Sequence, residues 1–358
     1  MKEIGSIFPL YDTDLEIPIS EKHNACREGK VLYSLCREAL YELAHKTEVN
    51  NRIVLLPAYT CDTVITPFKE SGWKCVYYPV DLQLRINVPS ATDIYNKHHP
   101  SLIVAHPFYG KDLNETEVAF LKSLHEQGCK IVVDLTQCIF SSQNLPFVDY
   151  YVGSYRKWFA IPDGGYLQSK DDVDIFTSGL DEYEDFISLQ RDSMYLRGFY
   201  FETNNEEIKS ISRRLNKMAV EMTDRNISPH KMSAFSYALM QKEDFLQNQK
   251  QRLENYQYLV ERLKNANSCQ ILCPNLTEIS TAPLYFTIYT NHRTSLQREL
   301  AKHHIYAPVI WPVVYDEVLI DDTVKYIYDN LLAIPIDQRY DEKDMEKIAD
   351  IIKNFNHD

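Results

Sequence analysis

Six short β-rich runs recur through the first half of the chain: "RIVLLPAYT" (52–60), "KCVYYPVD" (74–81), "SLIVAHPFYG" (101–110), "KIVVDLTQ" (130–137), "YYVGSY" (150–155) and "GGYLQS" (164–169). Several are apolar on both alternating faces, and a strand of that kind has to be covered on both sides. Helix-like segments lie between them. "CREALYELAHKT" (36–47) is one; "NETEVAFLKSLHEQG" (114–128) is another, with Val118, Leu121 and Leu124 as its apolar positions and Gly128 at its end. This alternation predicts an α/β domain with a mainly parallel sheet sandwiched by helices.

After residue 170 the pattern changes. "SRRLNKMAVEM" reads as helix, and residues 232–266 read as one long helix with Phe235, Leu239, Leu253, Tyr256, Val260 and Leu263 near i+3/i+4 steps. "APLYFTIYT" (282–290) and "LLAIPID" (331–337) read as strands, and "TSLQRELAKHHI" and "DEKDMEKIADIIKNF" as helices. The expected organisation is a large α/β domain over 1–235, then a bridging helix and a small α+β domain over 236–358.

The composition excludes some classes of function. A formal charge of −13 argues against a nucleic-acid polymer as partner, because phosphate backbones need clustered Lys and Arg. No run approaches the roughly 18 apolar residues of a spanning helix, and the N-terminus lacks the plan of a signal peptide, so a cytoplasmic location is expected. Eight cysteines are scattered without a CxxC pair, which suits reduced, buried thiols; Cys269 and Cys273 are too isolated for a zinc site. Only ten glycines occur, where about 25 would be usual at ~7%, so each marks a place where geometry demands one.

In open α/β sheets, ligands bind at the carboxyl ends of the strands. Two places there carry polar residues: Asp134 with Gln137 after "KIVV", and Ser154 with Lys157 after "YYVG". An Asp ending an apolar run is costly unless it meets a cation. Lys157 sits among Tyr155, Trp158 and Phe159, where desolvation would favour the nucleophilic amine. A Schiff-base lysine with an Asp on the pyridinium nitrogen is the arrangement that holds pyridoxal phosphate. The rival meaning of Ser-x-x-Lys, a penicillin-recognising acyl enzyme, also needs Ser-Asp-Asn and Lys-Thr-Gly, and neither occurs.

The order of these features resembles the DegT/StrS-type sugar aminotransferases, pyridoxal phosphate enzymes of fold type I. "VVDLTQC" resembles the family's Asp-x-x-Gln element, and "SYRKWFAIPDGG" its Schiff-base lysine followed at seven and eight residues by two glycines. "VLLPAYTCDTVITPFKESGWKCVYYPVD", "IVAHPFYG" and "HKMSAFSYALM…RLENYQYL" are similar to other parts, so the resemblance covers most of the chain. It implies a seven-stranded-type sheet with a small C-terminal domain. It also implies a Lys157 Schiff base, Asp134 on the pyridine nitrogen, Gln137 on the ring hydroxyl or face, and Ser154 on the phosphate. "LCREAL" (35–40) is similar to the family's phosphate-binding turn at a helix N-terminus, placing Arg37 and Glu38 at contacting positions. The chain departs from the pattern at Leu35 and Cys36 in that turn. It departs again at Cys61, where the family stacks an aromatic residue on the cofactor and where Tyr59 or His106 is a candidate replacement. The family's partner-subunit asparagine falls on Pro229, with His230 beside it.

What the resemblance implies is an aminotransferase moving an amino group from an amino acid, glutamate by analogy, to a keto sugar, nucleotide-linked by analogy, in a homodimer with shared sites. Two other readings stay open: different pyridoxal phosphate chemistry on a small amino acid, such as elimination or decarboxylation, and a non-catalytic homologue.

Overall fold

The computed structural model describes residues 3–19, 26–27, 29–170, 180–225 and 227–355. From the amino end, α1 (Asp12–Leu15), β1 (Cys26–Arg27), β2 (Lys30–Tyr33) and α2 (Cys36–Lys46) lead to β3 (Ile53–Pro57), α3 (Asp62–Glu70), β4 (Lys74–Tyr78) and α4 (Val88–His98). Then come β5 (Leu102–Ala105), α5 (Glu115–Glu126), β6 (Lys130–Asp134), β7 (Tyr150–Ser154), β8 (Gly165–Ser169), α6 (Glu184–Thr203), α7 (Glu206–Arg225) and α8 (Ala234–Met240). The carboxyl-terminal elements are α9 (Phe245–Leu263), β9 (Gln270–Ile271), β10 (Tyr285–Tyr289), α10 (Arg293–Lys302), α11 (Asp322–Asn330), β11 (Leu331–Pro335) and α12 (Glu342–Lys353). Backbone proximity divides the chain into two compact units. One comprises Ile7–Glu48 and Asp149–Glu243; the other comprises Glu3–Ser6, Val49–Val148 and Asp244–Asp358.

In the second unit, β3 pairs in parallel with β4 and β5, and β5 with β6. All four residues of β5, and all but the first of β3 and of β6, are buried, as strands covered on both faces must be. Asn114 starts α5 through a capping box with Glu117. The same unit holds a three-stranded antiparallel sheet, β11-β10-β9. Against it lies a core of Tyr256, Leu259, Phe286, Ile334, Met345 and Ile348, which Ile4 from the amino end joins.

The first unit is built differently. Its strands β1, β2, β8 and β7 pair antiparallel in that order. The expectation of a mainly parallel sheet therefore holds for β3 to β6, while these strands make the fold a mixed one. The 20-residue helices α6 and α7 pack as a hairpin, and Phe186, Ile187 and Ala219 close over Leu35 at the start of α2.

The long helix expected over 232–266 is two helices. Ser233 caps α8 by accepting from Ser236 N–H, and Asp244 caps a fresh start at α9 by accepting from Gln247 N–H at 2.9 Å. Apolar periodicity runs through both, so it hides a break that a capping carboxylate makes. Among the described residues, no helix is long and apolar enough to cross a membrane.

Candidate cofactor site

Because β3, β5 and β6 are parallel neighbours, the residues just past their carboxyl ends share one edge of the second unit. Asp134, the last residue of β6, is 3% exposed; its Oδ1 accepts the N–H of Thr136 at 2.8 Å and so shapes the turn that carries Gln137. His106, just past β5, places Nδ1 3.7 Å from Asp134 Oδ2 and Nε2 3.2 Å from the hydroxyl of Thr60, just past β3. A buried chain of Thr60, His106 and Asp134 results. The carboxylate has one oxygen accepting from backbone and one facing an imidazole ring, an acceptor arrangement able to hold a protonated heterocyclic nitrogen.

Aromatic rings wall this edge. His106 stacks on Phe108 at 5.5 Å between centroids, and Trp311 lies 6.5 Å from His106 and 5.2 Å from Tyr59. Tyr59 is fully buried: its hydroxyl donates to Ile310 O, and its ring packs on Phe108 and Tyr328. It is a core ring. Cys61 is the N-cap residue of α3, donating its S–H to Asp62 and accepting from the Thr63 hydroxyl. His106 keeps a place at the edge.

In the first unit, β7 ends at the buried Ser154, whose hydroxyl does not cap the following turn, Tyr155–Lys157. Trp158 and Phe159 are fully buried, whereas Lys157 is exposed in the single chain. These aromatic neighbours are buried and leave the amine outside. Tyr155 anchors the turn instead, packing on Tyr166 and accepting from Lys30 Nζ at 3.4 Å.

The glycine pair is explained by two different constraints. Gly164 has φ +144°, its N–H donates to Ser34 O at 2.7 Å and its O accepts from Arg156 N–H at 3.2 Å, so it closes the lysine turn onto β2's end. Gly165 lies against the start of α2: a Cβ there would stand 2.4 Å from Cys36 N. The strand after the lysine can touch the helix N-terminus only without a side chain.

That helix start departs from what the resemblance implies. Arg37 donates to Asp224 Oδ1 at 2.7 Å and to Thr223 O at 2.9 Å, both on α7. Glu38 is buried, with Oε1 3.2 Å from His230 Nδ1 and Oε2 accepting His230 N–H at 3.1 Å; burial raises its pKa and the His230 bonds offset part of that. Each side chain has a protein partner of its own. His230 stacks on Tyr183 at 4.2 Å and serves this network. Asp163, just before the glycine pair, is fully buried and accepts both the N–H and the hydroxyl of Ser233; burial pushes its carboxyl up to about 6 while the serine bonds pull it down.

Of the residues singled out in the sequence, Asp134 and Gln137 thus meet at one strand edge with Cys61 close in sequence to Thr60, and Ser154 and Lys157 share the turn after β7. Arg37 and Glu38 belong to a separate network. Thr60, Tyr109 and Asp163 lie inside the quoted stretches without being singled out there, although Asp163 directly precedes a glycine pair, a place where a buried carboxylate has a structural task.

No protein-family model and no curated protein matches the chain. Solved structures do. PseC of Helicobacter pylori, an aminotransferase involved in the biosynthesis of pseudoaminic acid, is 14% identical, with a TM-score of 0.66 over 98% of each chain. The aminotransferase TlmJ of Streptoalloteichus hindustanus is 15% identical, with a TM-score of 0.63 over 91% of this chain and 85% of that one. A DegT DnrJ EryC1 StrS aminotransferase of Brucella abortus gives the same values. The fold is that of the fold type I pyridoxal phosphate transferases.

Proposed function

We propose that this protein is a pyridoxal phosphate-dependent aminotransferase that moves an amino group from an amino acid, glutamate in the family's manner, to a keto sugar. The observation that carries the reading is the edge at β6. Asp134 is a buried carboxylate beside His106, and Gln137 Oε1 is a buried acceptor without a hydrogen-bond partner, so these acceptors fit a pyridine ring with a protonated nitrogen and a hydroxyl. Bound pyridoxal phosphate supplies an electron sink for the substrate's carbanion. The chain's own residues do the rest. In this reading Asp134 keeps the ring nitrogen protonated, Lys157 holds the aldehyde and then moves the proton as base and acid, and Ser154 binds the phosphate. Cys61 edges the ring, and residues 1–235 act as the cofactor domain with 236–358 as bridging helix and small domain.

A nucleotide-linked acceptor is supported by a neighbour, DesI, solved with its TDP-sugar product. A cytoplasmic location suits the seven described cysteines, which are thiols rather than disulfides. A homodimer is part of the reading through the resemblance.

The commitment of Arg37 and Glu38 to protein partners favours one rival, a non-catalytic homologue. The test separates them. Purified wild type is expected to take up pyridoxal phosphate, to show a visible band that borohydride abolishes, and to transfer amino groups from glutamate. Lys157→Ala is expected to lose the borohydride-sensitive band and about 10³-fold or more of the transfer. A wild type that binds no cofactor overturns the reading; one that binds it without transfer favours the rival.

A further inference from the structure

The α6–α7 hairpin of the first unit carries an apolar stripe that the hairpin itself does not bury. The two helices meet through small residues: the Ser193 hydroxyl donates to Ser212 O and the Ser212 hydroxyl to Ser193 O, each at 2.8 Å, and Ala219 lies buried against Phe186 and Ile187. About a quarter turn round α7 from that seam, Ile208, Ile211, Leu215, Met218 and Met222 follow one another at steps of three and four. That spacing lines them up on one face of the helix, as a seam for another helix does. Yet Ile211 is 46% exposed and Met218 43%, and the other three are half-buried. The neighbouring edge of α6 continues the patch with the half-buried Leu189 and Leu196 and with Phe199, which is exposed.

A contiguous apolar face with a helical seam calls for a helical cover. Its size suits a second protein: two 20-residue helices side by side present about 30 Å by 20 Å, or about 600 Å² before side-chain relief is counted, against about 800 Å² per partner in a stable interface. Its rim does not suit an anionic bilayer, because the exposed Asp185 and Asp192 on α6 and Glu207 and Glu221 on α7 border it. We propose that this face is the contact surface for a second copy of the chain, the two hairpins closing into a four-helix bundle about a two-fold axis parallel to the helices. That axis lays α6 of one copy along α7 of the other. Ser193 stands level with Ser212, so Asp192, which the single chain pairs with the adjacent Arg191 at 3.1 Å, comes beside the exposed Arg214 of the other copy. Opposite charges at that level set the register of the bundle. Nothing in this contact depends on a bound cofactor, and it gives the homodimer named above a definite surface.

The test is the mass of the purified chain by light scattering, with dissociation constants from sedimentation. Wild type is expected at twice the mass of one chain. Ile211→Glu with Met218→Glu puts two carboxylates in the middle of the face and is expected to weaken self-association about 100-fold or more. Val220→Glu, at a residue 39% exposed on the other flank of α7, is expected to leave it within about twofold. Asp192→Arg and Arg214→Asp should each weaken it about tenfold, since the axis repeats the pair, and the two together should restore it. All these residues are exposed, so the variants are expected to keep the wild-type melting point. A single-chain mass for wild type overturns the assignment, as does binding of that single chain to vesicles of phosphatidylcholine and phosphatidylserine. A dimer that survives Ile211→Glu with Met218→Glu overturns this face while the homodimer stands, and a charge swap that restores nothing overturns the two-fold. The borohydride-sensitive band is read on the same samples, and its absence overturns the proposed function alone.

Discussion

Two buried polar centres, one in each compact unit, contrast in a telling way. Beside α2, three side chains are answered within the protein: Arg37 by Asp224, Glu38 by His230, and Asp163 by Ser233. At the ends of β3, β5 and β6, Asp134 faces His106 at a loose 3.7 Å, and Gln137 Oε1 keeps no hydrogen-bond partner. A satisfied network holds a fold, whereas a buried polar group left open costs stability and persists where a ligand repays it. Both centres look alike in sequence, as short runs of polar residues beside apolar ones. Only the partners separate them.

The comparison can be broken most forcefully at the lysine turn. Lys157 is exposed and fixes nothing in the core, so the loss of activity in Lys157→Ala should come with an unfolding midpoint equal to wild type. A large fall in stability would mean that this turn is structural. Next comes Asp163→Ala, which strands the N–H and hydroxyl of Ser233 in the core and is expected to cost about 3 kcal/mol by denaturant titration.

The pH dependence sharpens the same point. The Asp163 carboxyl is pushed from 3.8 up to about 6, so between those values the folded chain holds a proton that the unfolded chain has released. Its stabilising contribution is whole below about pH 4 and is lost as pH rises through about 6, by roughly 3 kcal/mol, and Glu38, shifted in the same direction, adds to that slope. Asp163→Asn should flatten the curve in that window; an unchanged slope would show that Asp163 does not titrate there. The smallest effect belongs to Arg37→Gln. Its partner Asp224 is half exposed, so the loss should be about 0.5 to 1 kcal/mol, with affinity for pyridoxamine 5′-phosphate unchanged within about twofold. A tenfold loss of affinity would return Arg37 to the phosphate.

Much of the site was legible because its signals are local. Asp134 and Gln137 follow an apolar run that can only be a buried strand, and Lys157 with Gly164 and Gly165 keeps a spacing along one turn. The helix break at Asp244 was hidden because heptad-like periodicity continues across it, and one capping carboxylate outweighs that pattern. The antiparallel pairing of β2, β8 and β7 was hidden for a different reason: apolar content says that a strand is buried and says nothing of its direction.

From residues alone came the order of elements, the fold class they imply, and the side chains able to carry cofactor chemistry, since apolar period and motif spacing act over a few residues. Tertiary structure decided where those side chains point. Arg37 meets a partner 187 residues away and Glu38 one 192 away, and Gly165 is a glycine because the backbone of Cys36 lies against it. Contacts between residues so distant in sequence depend on how the whole chain closes, and no local pattern encodes them.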